Sequence, residues 1–353
     1  MIKTEKISIS NSDKMGFLIG LGTMLSSGIT LVEAIDSILE DAKGNLKTFL
    51  TILRDDIQQG KRIHLSLSKF PNIFDKVTVN LIKAAEEAGT LDSTLKQVKI
   101  NLQKDNEFTD KVKSALTYPL FIIVVFFGVL LMILIFVIPK ISKIFLSLKL
   151  ELPLPTKILI FLSDFILKST VPLIVGLVMS TAFIYFLFKT RKRALIQFIF
   201  SLPLVSGLIQ KIDLTRLTRS LHMLLSSGVN ISYSLELVED IVINKYIFDM
   251  ITYAKENVAS GKSLASAFRK YKKYVPSLII RVIEAGEKSG HLDKSLLETS
   301  EYLDYEVTNT LKSMTALLEP IMLVAIGILV GGMMLSIIAP MYGLIGQVGG
   351  AGN

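Results

Sequence analysis

The chain has 353 residues, half of them hydrophobic, with a formal net charge of +8 and no cysteine. A mean hydropathy of +0.53 is too apolar for a soluble protein with cores of ordinary size, and the lack of cysteine excludes disulfide frameworks and thiolate metal sites. The basic residues form no single stripe interleaved with aromatics, which argues against nucleic-acid binding and for a membrane protein whose Lys and Arg face the cytoplasm and anionic lipid.

The first thirteen residues are polar, with no apolar h-region, so no cleaved signal peptide is expected. Lys14 to Leu25 reads as a helix that stops at Ser26-Ser27-Gly28, glycine tolerating the positive φ that ends many helices. Thr30 followed by Glu33 has the capping-box spacing and opens a second helix to about Glu40. A third runs from about Leu46 to Gln59 and ends at Gly60, a short fourth from Leu65 to Phe70 stops at Pro71, a fifth covers 74–88 and ends at Gly89, and a sixth begins near Asp92. No convincing alternating strand occurs, which predicts an all-α bundle.

From Leu116 to Ile138 no residue is charged, long enough at 1.5 Å per residue to cross the hydrocarbon core. Pro119 sits near the start of this span, where a kink or a loosened turn is absorbed at headgroup level. The connection that follows contains an amphipathic piece, Ile158 to Leu167, too short to span and expected in the interface or against the bundle. Val171 to Phe188 reads as a second span, with Lys189, Arg191, Lys192 and Arg193 marking its cytoplasmic end.

The second half then repeats the first. Leu25-Ser26-Ser27-Gly28-Ile29 recurs two hundred positions on as Leu225-Ser226-Ser227-Gly228-Val229. Gly60-Lys61 recurs as Gly261-Lys262, the turn at Gly89 as that at Gly290, and Pro119 and Pro139 as Pro320 and Pro340. Such a shared period indicates a tandem duplication. The predicted fold is all-α: two homologous cytoplasmic six-helix bundles in tandem with three transmembrane helices. The expected boundaries are a bundle over 1–115, a span over 116–138, an external connection over 139–170, a span over 171–188, the second bundle over 189–316, a third span over 317–340 opened by Glu319-Pro320, and an external tail over 341–353.

No catalytic constellation emerges. Gly261-Lys262-Ser263 has Glu256 where a phosphate-binding loop needs its first glycine, and a helix precedes it rather than a strand, so no nucleotide binding is expected. The three histidines, His64, His222 and His291, have no metal-ligand spacing, and no serine sits in a nucleophile elbow. The reading is therefore no enzyme, no cofactor and no metal. Within the spans Gly327 and Gly331 have a helix-contact spacing, and the sole acid, Glu319, lies at a boundary, which gives little support to the competing class, a small-solute or ion transporter or channel. Glu86 and Glu287 occupy matching places before the turn glycines, and Arg216 and Arg219 lie on one side of a helix. These four are the candidate partner-binding residues, with Gly28, Gly228, Gly89 and Gly290 as structural turns and Pro119, Glu319 and Pro320 as membrane-helix entry points.

Taken together, these residues resemble the F-protein family of type II secretion systems, which includes type IV pilus platform proteins and competence relatives. The carriers are Met24-Leu25-Ser26-Ser27-Gly28-Ile29 and its echo Leu224 to Val229, Leu202 to Gly207, Gly286-Glu287-Lys288-Ser289-Gly290-His291-Leu292, and Leu317-Leu318-Glu319-Pro320. The first copy departs from this pattern, with Ala85 and Ala88 replacing the second copy's Gly286 and Ser289, and with no arginine pair. The resemblance implies a multi-pass platform in the cytoplasmic (inner) membrane, and the cationic cluster at Lys189 to Arg193 together with three spans puts the N-terminus inside and the C-terminus outside. The partners it implies are a hexameric secretion or pilus ATPase, pilin or pseudopilin subunits, other inner-membrane assembly proteins, the lipid bilayer and further copies of the chain.

Overall fold

The computed structural model describes residues 4–147, 154–168, 179 and 203–350. A 3-10 turn (Thr4–Lys6) is followed by α1 (Asn11–Ser26), α2 (Leu31–Glu40), α3 (Gly44–Gln58), α4 (Ile63–Leu67), α5 (Lys76–Ala88) and α6 (Leu91–Met132). A π-helical turn, Ile133–Val137, joins α6 to α7 (Ile138–Ser147), and α8 (Leu154–Lys168) follows. The second copy comprises α9 (Pro203–Ser226), α10 (Ile231–Val238) with a 3-10 turn at Glu239–Ile241, α11 (Lys245–Ala259), α12 (Leu264–Lys270), α13 (Ser277–Ser289) and α14 (Leu292–Gly350). The described residues contain no strand.

Helix starts follow the capping chemistry of the sequence. Thr30 Oγ1 accepts from Glu33 N–H at 3.3 Å while Glu33 Oε2 accepts from Thr30 N–H at 3.2 Å, a reciprocal pair that satisfies two otherwise bare donors. Ser10, Asp75, Asn230, Asn244 and Ser263 cap α1, α5, α10, α11 and α12 in the same way, each with a side-chain oxygen. The ends match between copies too. Gly28 and Gly228 both have φ +81°, and the residue after each donates to the carbonyl of Met24 or Leu224 at 3.0 Å. Gly89 and Gly290 close α5 and α13 at φ +70° and +74°.

The chain divides into two compact units. One contains Met1–Lys111 with Ile199–Thr308, the other Val112–Phe198 with Asn309–Asn353. The two polar copies thus share the first unit, and their buried side chains form one continuous apolar cluster from Phe17 and Leu53 to Leu217 and Ile283. The copies fill their shares differently. Phe17, Phe49, Phe70 and Phe74 pack edge-on or tilted at 5.0–6.1 Å in the first; the matching positions in the second hold Leu217, Met250, Tyr271 and Val275.

In the second unit, two helices among the described residues are long and apolar enough to cross a bilayer, one within Leu91–Lys140 and one within Leu292–Gly332. Their apolar windows are 11% and 0% buried, which distinguishes them from core helices. Apart from residue 179, the expected span over 171–188 lies outside the described residues, as do its cationic flank and the end of the external tail. The helix does not break at Pro119, nor α14 at Pro320. Pro119 has no N–H for the Ala115 carbonyl, and the Thr315 hydroxyl lies 3.5 Å from that oxygen, at the limit of a hydrogen bond.

The irregularity comes instead at the far end of the span. In the π-turn the Ile138 N–H bonds the Ile133 carbonyl, so the carbonyl of Leu134 falls to residue 139, which is a proline and has no N–H to give. The buried Ser163 hydroxyl of α8 donates to it at 2.5 Å. The piece expected at the interface or on the bundle is thus a helix packed on the end of the first span. Around Gly327 and Gly331, apart from their own stretch of helix backbone, no atom among the described residues comes within 4 Å of where a Cβ would stand.

The glycine that differs between the copies tests the packing. A Cβ at Gly286 would stand 2.5 Å from Ser295 Cβ, close to the backbone of α14, so it cannot be cleared by a rotamer change. Gly286→Ala should therefore destabilise the full-length protein by about 1–3 kcal/mol despite alanine's better helix propensity. Adding Ser295→Gly should recover most of the loss in thermal unfolding followed by circular dichroism. An unchanged melting curve for the single variant would show that the two helices are not in this contact.

Candidate functional site

Glu86 and Glu287, at the last turns of α5 and α13, are half-buried and do the same work in each copy. Glu86 Oε1 accepts from the Ile63 N–H at 3.0 Å and its Oε2 meets His64 Nδ1 at 2.5 Å. Glu287 accepts from the N–H groups of Leu264 and Ala265 at 2.6 and 3.2 Å. Each carboxylate thus covers the bare donors at the start of a short helix, α4 or α12, that is too short to hold itself. The rest of the Gly286-Glu287-x-Ser289-Gly290 motif is structural in the same way: Ser289 Oγ donates to the Gly286 carbonyl at 3.2 Å, and His291 N–H donates to the same oxygen at 2.9 Å.

Below α4 a buried carboxylate marks a difference between copies. Asp56 Oδ1 accepts from Lys61 Nζ at 2.6 Å, and its Oδ2 from Ser66 Oγ at 2.7 Å and Lys69 Nζ at 2.5 Å. Burial would raise its pKa, but the bonds from Lys61, Lys69 and Ser66 outweigh this and hold it at about 2. The second copy has Asn257 and Ala267 at the matching places, and its Lys270 turns instead onto the Tyr253 ring at 3.7 Å.

Arg216 and Arg219 lie on α9 where the two copies meet. Arg219 is buried: its guanidinium faces Asp105 Oδ1 of α6 at 3.4 Å and the Phe108 ring at 5.5 Å. Arg219 therefore offers little free surface to a partner, because Asp105 and Phe108 of α6 cover it. Arg216 Nε is also buried and has no hydrogen-bond partner. Around them the junction is polar. Tyr233 Oη donates to Asn80 Oδ1 at 2.8 Å, Lys76 Nζ meets Asp240 at 2.5 Å, and Lys104 and Lys111 of α6 reach Glu301 and Asp304 of α14 at 3.3 and 3.6 Å.

Sequence reading did not single out Asp105, Asn101 or Asp213. The signal was present as a polar residue among apolar neighbours: Ile100-Asn101-Leu102 and Ile212-Asp213-Leu214. Asp213 is fully buried and accepts from the N–H groups of Ile243 and Asn244 at 2.8 and 2.5 Å. Burial raises its pKa, against the pull of those two bonds and of Arg216. Pro119 and Pro320 lie within unbroken helices, and Glu319 is exposed. Among the described residues no three His, Asp or Glu side chains come together as metal ligands.

Comparison with known proteins gives a consistent picture. The family model described as type II secretion system (T2SS), protein F, matches residues 17–139 and again 217–340, once per copy. The chain is 30% identical over 344 residues to the type IV pilus assembly protein PilC of Myxococcus xanthus, covering 96% of this chain and 82% of that one. It is 32% identical over 333 residues to the protein of the same name from Thermus thermophilus, covering 93% and 81%. With the type II secretion system protein F of Vibrio cholerae it shares 27% over 337 residues, covering 94% and 82%.

If Arg219 holds the junction, Arg219→Glu should lower the unfolding free energy of the full-length protein by on the order of 2 kcal/mol, less than for a fully buried pair because Asp105 is half exposed. The reversed pair Arg219→Glu/Asp105→Arg should regain part of that loss, while Lys262→Glu, on an exposed loop, should cost little. Equal urea midpoints for Arg219→Glu and the parent protein would remove the contact from the account of the fold.

Proposed function

The chain belongs to the type II secretion system protein F family, and we propose that it is the inner-membrane platform of a type II secretion or type IV pilus-like machine that couples a cytoplasmic hexameric ATPase to the assembly of pilin or pseudopilin subunits. The observation that carries this reading is the double family match, one per copy, with each copy's last helix leading into an apolar segment suited to a bilayer. The topology proposed places the N-terminus and both copies in the cytoplasm, on the strength of Lys189 and Arg191 to Arg193, and the C-terminus outside. Three membrane spans anchor the chain, the second being 171–188. Further copies of the chain and other inner-membrane assembly proteins complete the platform.

In this mechanism the chain supplies no chemistry of its own. The ATPase moves the shared polar unit, and α6 and α14, which run without a break from charged into apolar sequence, pass that movement towards the membrane-embedded subunits. Arg216, Arg219, Glu86 and Glu287 contribute by keeping the ATPase-facing surface in one shape: Arg219 ties the two copies at Asp105 with Arg216 beside it at the junction, and the glutamates hold α4 and α12 in place.

The native absence of cysteine allows a direct test of the topology. Single cysteines at Ser147 and Ala351 should react with an impermeant maleimide on intact cells, and one at Ser260 should not. Labelling at Ser260 would overturn the assignment. For the coupling, purified full-length protein should hydrolyse no ATP alone and should capture the machine's ATPase. Arg216→Glu/Arg219→Glu should weaken that capture, stop pilus or pseudopilus assembly and lower the melting temperature together. ATP hydrolysis by the isolated chain would defeat the platform reading.

A further inference from the structure

Where the two copies meet, α1, α5, α6 and α9 enclose a cavity of about 100 Å³, room for roughly three waters at liquid density or one tetrahedral oxyanion. Its polar lining comprises Lys14, Asp75, Asn101, Asp105, Arg216 and Arg219, among other residues. We propose that this cavity is a binding site for a small oxyanion of the phosphate class, held between the two copies.

The hydrogen-bond inventory of the lining favours an acceptor-rich guest. Arg216 Nε and Asn101 Nδ2 are both buried without a partner, and Asn101 as a whole is 7% exposed. Arginine nitrogens only donate, and the Arg216 Nε–H finds no acceptor within hydrogen-bond distance among the described residues. The two carboxylates are already engaged. Asp75 Oδ1 accepts from the Thr78 N–H at 2.6 Å as the cap of α5, and Asp105 accepts from Arg219. Three cationic side chains line the cavity against two committed carboxylates, while the third acid near Arg216, Asp213, lies outside the lining, is held by the Ile243 and Asn244 N–H groups, and has its charged form disfavoured by burial; such a lining suits an anion.

Lys14 adds an independent observation. It is half-buried, lies 5.3 Å from the Phe74 ring, and forms no ion pair within 4 Å among the described residues. Burial pushes its ammonium below the usual lysine value, with Asp75 and Asp105 only partly opposing this. A bound anion would favour the charged ammonium that burial disfavours.

The repeat supplies the last argument. The first-copy positions that match Arg216 and Arg219 are Gly16 and Ile19, and the second-copy positions that match Asn101 and Asp105 are Tyr302 and Glu306. The duplicated framework therefore cannot build this site twice. It arises from the residues at which the copies differ, brought together by the packing of one copy on the other.

The test uses the full-length protein in detergent or nanodiscs, in phosphate-free buffer, titrated with sodium phosphate against sodium chloride at matched ionic strength. Calorimetry should show saturable one-to-one uptake of phosphate, accompanied by a rise in melting temperature that chloride does not give. Arg216→Gln should weaken binding about 10-fold or more, as expected for one charge-assisted contact, and Asn101→Asp, which keeps the volume and adds a negative charge, should abolish it. Lys262→Gln, outside the cavity, should bind normally. A readout on the unaltered protein guards against a variant that fails to fold: saturating phosphate should slow acylation of Lys14, measured by mass spectrometry, and leave that of Lys262 unchanged. Absence of saturable uptake, meaning a cavity that holds water alone, overturns the proposal. So does unchanged Lys14 acylation, or full affinity in a folded Asn101→Asp protein, either of which would place the phosphate elsewhere.

Discussion

Neither polar copy closes its apolar surface alone. The buried side chains of both run together into one cluster, so the cost of ordering each copy is offset partly by surface that belongs to the other. This shared burial fixes where α5, α6 and α9 meet, and every polar contact at the junction depends on it. Arg219 can be buried beside Asp105 and Phe108 only because the packing brings a carboxylate and an aromatic face to the same place. A duplicated sequence that folded as two independent beads would have no such constraint and would need no residue unique to one copy.

The duplication has in fact been specialised at the points of contact and left alone at the turns. Positive φ at Gly28 and Gly228, and at Gly89 and Gly290, is a backbone demand that any copy must meet. Core positions answer to volume instead, so the four phenylalanines of the first copy become Leu217, Met250, Tyr271 and Val275 without loss of the helix arrangement. The buried ion cluster at Asp56 becomes Asn257 for a similar reason: once Ser66 is replaced by Ala267, a charged carboxylate there would lack one of its donors.

This contrast explains what could be read from the sequence. Caps and stops are local, so Thr30 with Glu33, or Gly60, announces a helix boundary to within a few residues. The all-α class and two of the apolar helices follow from periodicity and length alone. What could not be read is what depends on the other copy. Nothing near Arg219 in the sequence announces Asp105, more than a hundred residues away, and an arginine pair on one side of a helix looks the same whether water or a protein face covers it. Glu86 and Glu287 were legible as a repeated pair, but their role required knowing that the end of α5 or α13 lies beside the start of α4 or α12. At Pro119 the local rule costs the helix one backbone bond without ending it, and the nearby Thr315 hydroxyl lies on α14, which nothing close to Pro119 in the sequence announces.

The serine hydroxyl at the π-turn sets a direction for mechanical compliance. Leu134 carbonyl has no backbone donor within its own helix, and Ser163 of the returning helix supplies its hydrogen bond. Sliding α8 along the span by one residue, about 1.5 Å, would carry the hydroxyl away and leave a bare carbonyl in apolar surroundings. A movement of the two helices as a pair leaves the bond intact, whereas a sliding stroke of one against the other loads it at once. The hydroxyl is therefore a lock against slippage, and a push on either helix is carried by both.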